Sequence, residues 1–229
     1  MLRPTYRHRL LTTLISVGPF CMISGCVRDP YGAEVGCQSS RVPCLAGTAM
    51  VSLETTKGSV ILKLDGENAP LTAGNFVDLV KKGIYNQTVF HRVVKSPIPF
   101  VVQGGDPRSS DPKTPVSTYG TGQYVDSAKG AARYIPLEFR LKSTKDLSYG
   151  KEIISDPSLQ PVLTHDRGAV AMARSSDPNS ASAQFYIALE ALPELDGRYA
   201  VFGRVVRGMD VVDQLEQGDK LIRASLLKS

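Results

Sequence analysis

The chain has 229 residues, 42% of them hydrophobic and 21% charged. That is enough apolar content to bury a core and to exclude disorder throughout, and the length fits one domain with appendages better than two. The formal charge of +5 leaves no footprint for nucleic acid, because Arg3, Arg7 and Arg9 lie in the first 25 residues, which hold no acid; removing them from 27 basic residues leaves 24 against 22 acidic ones, a net of +2.

Residues 1–25 read as an export signal. A basic stretch (Arg3, Arg7, His8, Arg9) precedes a mostly apolar run from Leu10 to Ile23, and small residues Ser24 and Gly25 follow. The run is broken by Thr12, Thr13, Gly18 and Pro19 and is short against the roughly 20 residues a spanning helix needs. Ile23-Ser24-Gly25-Cys26 resembles the bacterial lipobox, which implies cleavage before Cys26, lipid attachment to it, and a membrane-anchored protein facing the periplasm or the cell exterior. An ordinary signal peptide cut elsewhere and an uncleaved anchor are the alternatives. Residues 26–49 carry Gly, Pro, Ser and isolated apolar residues without a period and read as a flexible tether. With Cys21 removed and Cys26 acylated, Cys37 and Cys44 remain. They read as a local disulfide or as two idle thiols; a zinc site needs about four ligands, and no histidine or further cysteine stands near them.

The folded domain is expected over 50–229. Met50–Glu54 and Val60–Leu64 alternate around the turn residues Thr56–Ser59, which argues a hairpin. A helix follows, with Pro70 early, Phe76, Val77, Leu79 and Val80 on one stripe, Lys81 and Lys82 in the last turn and Gly83 to stop it. Val89–Val94 and Phe100–Gln103 read as strands joined by the proline-bearing loop 95–99. Between Asp106 and His165 the chain is polar, and only Tyr134–Phe139 looks ordered. This insertion, around 107–164, is either a substrate-selecting surface or a tolerated addition. Strands are then expected at Ala169–Ala173, Gln184–Leu189 and Tyr199–Val206, and Met209, Val212 and Leu215 mark a second short helix ended by Gly218.

Four segments carry a family resemblance: Val89-Phe90-His91-Arg92-Val93-Val94 with Phe100–Asp106, then Ala169–Arg174, Ala183-Gln184-Phe185-Tyr186-Ile187, and Tyr199-Ala200-Val201-Phe202-Gly203. Together they resemble the cyclophilin family of peptidyl-prolyl isomerases, from about Val51 to the C-terminus. The resemblance implies a mainly β fold, a closed eight-stranded antiparallel β-barrel capped by two α-helices. It implies rotation about X-Pro bonds in proline-containing polypeptides and no cofactor. Arg92 takes the position of the catalytic arginine, and Gln103 that of the glutamine contacting both the arginine and the substrate carbonyl. The proline pocket falls to Phe100, Val101, Tyr186, Leu195 and Tyr199, with Gln184 beside it, and the edge that pairs with the substrate main chain falls to Ala173, Arg174 and Ser175.

The residue types suit that chemistry. Resonance holds the X-Pro amide planar behind a barrier of about 18–20 kcal/mol. A catalyst needs no nucleophile; it must bind the twisted amide better than either planar isomer. As the bond twists, the proline nitrogen regains a lone pair that can accept a hydrogen bond, and arginine offers a permanently charged, rigid fork of donors. By period-two alternation Val101 and Gln103 share one strand face, as do Gln184 and Tyr186, leaving Phe185 to point inward; alternation alone leaves Phe90 unassigned.

Five positions depart from the family. Arg174 and Ser175 replace an asparagine and an alanine on the pairing edge, Tyr186 replaces a phenylalanine, and Val101 replaces a methionine. Glu194 stands where drug-sensitive animal members carry a tryptophan that donates to cyclosporin, which implies weak inhibition by that drug. Other chemistries fail on inventory. Histidines occur only at 8, 91 and 165, which supports neither a multi-histidine metal site nor a Ser-His-Asp arrangement, and His91 reads as a solvent-edge or structural residue rather than an acid–base group. Gly104-Gly105 and Gly120-Thr121-Gly122 read as turns. A rival of another class keeps the fold and drops the turnover: a non-catalytic proline-segment binding or assembly module that uses the pocket and the Asp106–His165 excursion to hold a partner. A monomer is the default.

Overall fold

The two alternating runs form a hairpin: β1 (Thr48–Thr55) pairs along its length with β2 (Gly58–Asp65), burying Val51, Leu53, Val60, Leu62 and Leu64 on one face. The protein is described by a computed structural model over residues 36–37, 42–127, 130–143, 145–153 and 158–228. The export segment 1–25, Cys26 and most of 27–41 lie outside the described residues.

Helix α1 (Pro70–Lys81) appears where the stripe and its punctuation place it. Its start has no side-chain cap of its own, since Ala69 occupies that position. The first-turn N–H groups of Leu71 and Thr72 instead donate to the buried carboxylate of Glu138, at 3.1 and 2.7 Å. Phe76 of this helix meets the rings of Tyr85, Phe185 and Phe202 at centroid distances of 4.8, 5.2 and 5.1 Å, forming the centre of the core. Gly74 lets another segment cross the helix: a Cβ there would stand 2.0 Å from the Pro43 carbonyl oxygen. That crossing segment is closed by the Cys37–Cys44 disulfide, with Cα atoms 5.8 Å apart, and Val42 within it is buried against the core.

The remaining strands are β3 (Thr88–Val89), β4 (Arg92–Val93), β5 (Val101–Gly104), β6 (Val125–Asp126), β7 (Ala131–Ala132), β8 (Glu138–Arg140), β9 (Leu147–Tyr149), β10 (Ala169–Met172), β11 (Phe185–Ala188), β12 (Val201–Arg207) and β13 (Lys220–Leu226). A short helix α2 (Met209–Gln214) precedes the last strand. Nine strands form one curled antiparallel sheet in the order β3-β13-β1-β2-β12-β10-β11-β5-β4, and β6-β7 and β8-β9 form two separate ribbons.

The mainly β architecture with two helices is as expected; the closed barrel of eight strands is not. The run Val89–Val94 splits, because Phe90 leaves the ladder to donate to Asp219 O at 2.8 Å and accept from Gly218 N at 3.0 Å. Its ring enters the core, so it does not share the face of Arg92. Thus β3 pairs with β13 on one side, β4 pairs with β5 on the other, and the sheet is open between them. Strand β13 has no counterpart in the sequence reading. A bulge opposite Glu54 and Thr55 skips Ile222, so the inward residues Leu221 and Ala224 stand three apart and the alternation disappears.

The long excursion is more ordered than its composition implies. Its described residues hold two 3-10 turns, Pro107–Ser110 and Val116–Thr118, and both ribbons. It is tied to the loop between β10 and β11 by Ile135 N to Ala181 O and Leu137 N to Pro178 O, each at 2.8 Å.

Candidate active site

Strand register brings the site together. Arg92 stands opposite Gln103, Gln103 opposite Tyr186, and Tyr186 opposite Ala171 across β4, β5, β11 and β10. Directly opposed residues of antiparallel strands share a face, so these form one row on the outside of the sheet. Their neighbours Val102, Phe185 and Ile187 point the other way, into the aromatic core.

The outer face carries its own apolar cluster. Val101, Ala169, Ala171, Tyr186, Ala188 and Val201 are buried there, and Phe100, Ala173, Leu195 and Tyr199 pack against them half-buried. Tyr199 meets Tyr186 edge-on at 5.9 Å. The five residues assigned to the proline pocket therefore belong to one cluster. Glu194 is exposed in the 3-10 turn Pro193–Leu195 next to it.

Arg92 is exposed beside this cluster, 5.5 Å over the Phe100 ring, with Nη1 donating to Gln103 Oε1 at 3.4 Å. Behind it the hydrogen bonds run in one direction. Gln103 Nε2 donates to Gln184 Oε1 at 3.2 Å, and Gln184 Nε2 donates to the carbonyls of Gly120 and Gly122 at 3.0 and 2.8 Å. Each glutamine thus presents oxygen forward and nitrogen back, which fixes both amides and leaves an acceptor facing the guanidinium. The 120–122 turn is held in its place by Asp106, fully buried, whose Oδ2 accepts from Gly120 N and Gly122 N at 2.7 and 3.1 Å. Gln184 accordingly stands behind Gln103, with its amide nitrogen committed to the turn. The residues of composition alone gave no signal for Asp106; its place in Gly104-Gly105-Asp106, directly after a functional strand, is the only pointer.

The Tyr186 hydroxyl has a partner. Tyr186 O–H lies 2.9 Å from His165 Nε2, and His165 Nδ1 lies 2.7 Å from Asp196 Oδ1. With the imidazole neutral, Nδ1–H donates to the carboxylate and Nε2 accepts from the tyrosine. Burial lowers the His165 pKa from its usual 6.5, against the opposing pull of Asp196, and burial pushes the Tyr186 phenol well up. Sequence reasoning missed His165. The available signal was physical: a buried phenol needs a partner, and the chain has only three histidines. The other one described, His91, lies against Gly120, and burial lowers its pKa also.

The edge 173–175 leaves β10 beside Gln184, with Ala173 N donating to Gln184 O at 2.9 Å. Main-chain alternation then turns the N–H and C=O of Arg174 away from β11. Ser175 is exposed, and its N–H and hydroxyl both bond Ser180 Oγ, at 2.9 and 2.7 Å. A cleft of about 520 Å³ opens beyond this edge, lined by Gln103, Thr121, Ala173, Ser175, Asn179 and Gln184 among others. The Arg174 side chain turns back over the Tyr199 ring at 4.7 Å and is nearly buried.

The model of the family "Cyclophilin type peptidyl-prolyl cis-trans isomerase/CLD" matches residues 50–225. A putative thylakoid lumen peptidyl-prolyl cis-trans isomerase of Synechocystis is 34% identical over 199 residues, 82% of this chain; the match spans 49% of that relative's length. A peptidyl-prolyl cis-trans isomerase of Helicobacter pylori is 33% identical over 177 residues, 76% of this chain and 85% of the relative. Among solved structures, a cyclophilin-type isomerase of Cryptosporidium parvum, determined in the presence of the dipeptide Ala-Pro, is similar with a TM-score of 0.56 and 26% identity, covering 79% of this chain and 99% of that one.

Proposed function

The chain belongs to the cyclophilin-type peptidyl-prolyl cis-trans isomerase family, and on that premise we propose that it catalyses rotation about X-Pro bonds in exported polypeptides through Arg92. The observation that carries this reading is the one-way chain of hydrogen bonds from the Gly120–Gly122 turn through Gln184 and Gln103 to a guanidinium at the rim of an apolar outer cluster. The substrate proline ring enters among Phe100, Val101, Tyr186, Leu195 and Tyr199. Its main chain pairs with the outward N–H and C=O of Arg174 on the edge Ala173–Ser175. Arg92 donates to the proline nitrogen as the amide twists, and Gln103 holds the guanidinium in place before the reaction, so little reorganisation is needed at the transition state. The reading needs no cofactor and no second copy of the chain. The Ala-Pro dipeptide present with the Cryptosporidium parvum relative contains an X-Pro bond of the kind this reading requires.

We further propose that residues 50–229 are the isomerase domain, that 1–25 are an export signal, and that Cys26 carries a lipid which anchors the protein outside the cytoplasm. Support comes from the sequence pattern, from the thylakoid lumen assignment of the Synechocystis relative, and from the Cys37–Cys44 disulfide, which suits an oxidising compartment. Clients are then exported proteins whose folding waits on proline isomerisation.

Arg92→Ala separates the enzyme from a binding module. The variant should lose isomerisation by roughly 100- to 1,000-fold, the usual cost of a preorganised transition-state donor, while peptide affinity changes little. Equal rates for variant and wild type, or a folded wild type that binds proline peptides without accelerating their exchange, would favour the non-catalytic module.

A further inference from the structure

One side chain of the excursion reaches the substrate edge and has no part in the mechanism above. Glu152, just after β9, pairs with Nη2 of Arg174. Packed backbone delivers it there. Ile153 donates its N–H to Gly197 O at 3.1 Å, and Gly197, at φ +73°, leaves no room for a Cβ, which would stand 2.6 Å from Ile153 Cγ1. Leu137, just before β8, and Phe139 of β8 close over Ala200, with Ile153 beside them.

The Arg174 guanidinium is fully engaged. Nε and Nη2 donate to Arg198 O at 2.9 and 2.7 Å, and Nη1 donates to Ser175 O and Ser176 O at 2.9 and 3.2 Å. Carbonyl groups satisfy its donors but cancel no charge. The side chain is 5% exposed, so its positive charge lies poorly solvated beside the main-chain edge. Glu152 is the carboxylate paired with it.

We propose that Glu152 is a specificity-determining positioning residue: by neutralising and fixing Arg174, it keeps the edge from selecting acidic residues before the substrate proline. It acts through Arg174 and touches no substrate. The proposal rests on the reading of 173–175 as the substrate edge. Asp177, Glu194 and Arg198 also stand near, so the informative quantity is a change between variants in which those three are constant.

The test uses peptides Ala-Xaa-Pro-Phe with Glu or Lys at Xaa, reading both dissociation constants and cis-trans exchange rates for wild type, Glu152→Gln, Arg174→Gln and the double variant. Glu152→Gln should shift the ratio towards the Glu peptide by roughly three- to tenfold, less at high salt. Arg174→Gln, which leaves Glu152 unpaired, should shift it towards the Lys peptide, and the double variant should return near the wild-type ratio. Ratios that stay constant across all four forms, or single variants that weaken both peptides in parallel, would reduce the pair to a packing clamp and overturn the proposal. If one single variant does not fold, the sign of the other decides. A chain that binds these peptides without isomerising them would sink the proposed activity, while the affinity ratios would still decide the role of Glu152.

Discussion

The two faces of β5 and β11 do different work with alternate residues of the same short segments. Inward, Val102, Phe185 and Ile187 join α1 in an aromatic core without solvent contact. Outward, Val101, Gln103 and Tyr186 belong to a partly exposed surface whose polar groups are tied to loops and held in a set direction. The inner face is satisfied by shape alone. The outer face needs orientation, and the loops that supply it, 106–122 and 137–165, come from the least patterned part of the chain.

That contrast can be broken from the inside with the largest effect. Phe185→Ala removes a ring in contact with Phe76 and Tyr85 and should cost about 3–5 kcal/mol in urea unfolding. Below that comes Glu138→Ala, which strips two first-turn N–H groups of α1 of their acceptor; about 1–3 kcal/mol is expected, with activity affected only through stability. Outside, Gln184→Ala should leave the unfolding midpoint nearly unchanged and slow isomerisation about tenfold, since Gln103 would lose the acceptor that sets its amide. A loss of stability larger than the loss of rate would contradict the division.

The smallest effect is pH-dependent. Burial depresses the pKa of both His91 and His165 below 6.5, so on acidification the unfolded chain takes up these protons first. Their contribution to stability is therefore present above about pH 6.5 and is lost as pH drops through the window below it. Protonation also makes His165 Nε2 a donor and forces the Tyr186 hydroxyl to turn. Unfolding curves from pH 8 to pH 5 for wild type and His165→Gln should converge at the acid end; a constant gap would remove His165 from the account.

The inner face was legible in the sequence because burial imposes periods. Helix α1, the first hairpin and the inward turn of Phe185 all follow from spacing and punctuation. Legibility ended where the backbone broke its period, at Phe90 and at the β13 bulge. The row of Arg92 and Gln103 and the pocket residues came from motif resemblance, and strand register brings them side by side. What lay behind them was out of reach. Asp106, His165 and Glu138 act on residues far along the chain, and no local pattern encodes a contact made by a loop.

The most direct test of this separation of faces measures two quantities on two variants: cis-trans exchange of a proline peptide by NMR and the urea midpoint, for Arg92→Ala and Phe185→Leu. Arg92→Ala should keep its midpoint and lose the exchange, and Phe185→Leu should lose midpoint and keep exchange while folded. A folded Arg92→Ala that exchanges the peptide as fast as wild type would contradict the account.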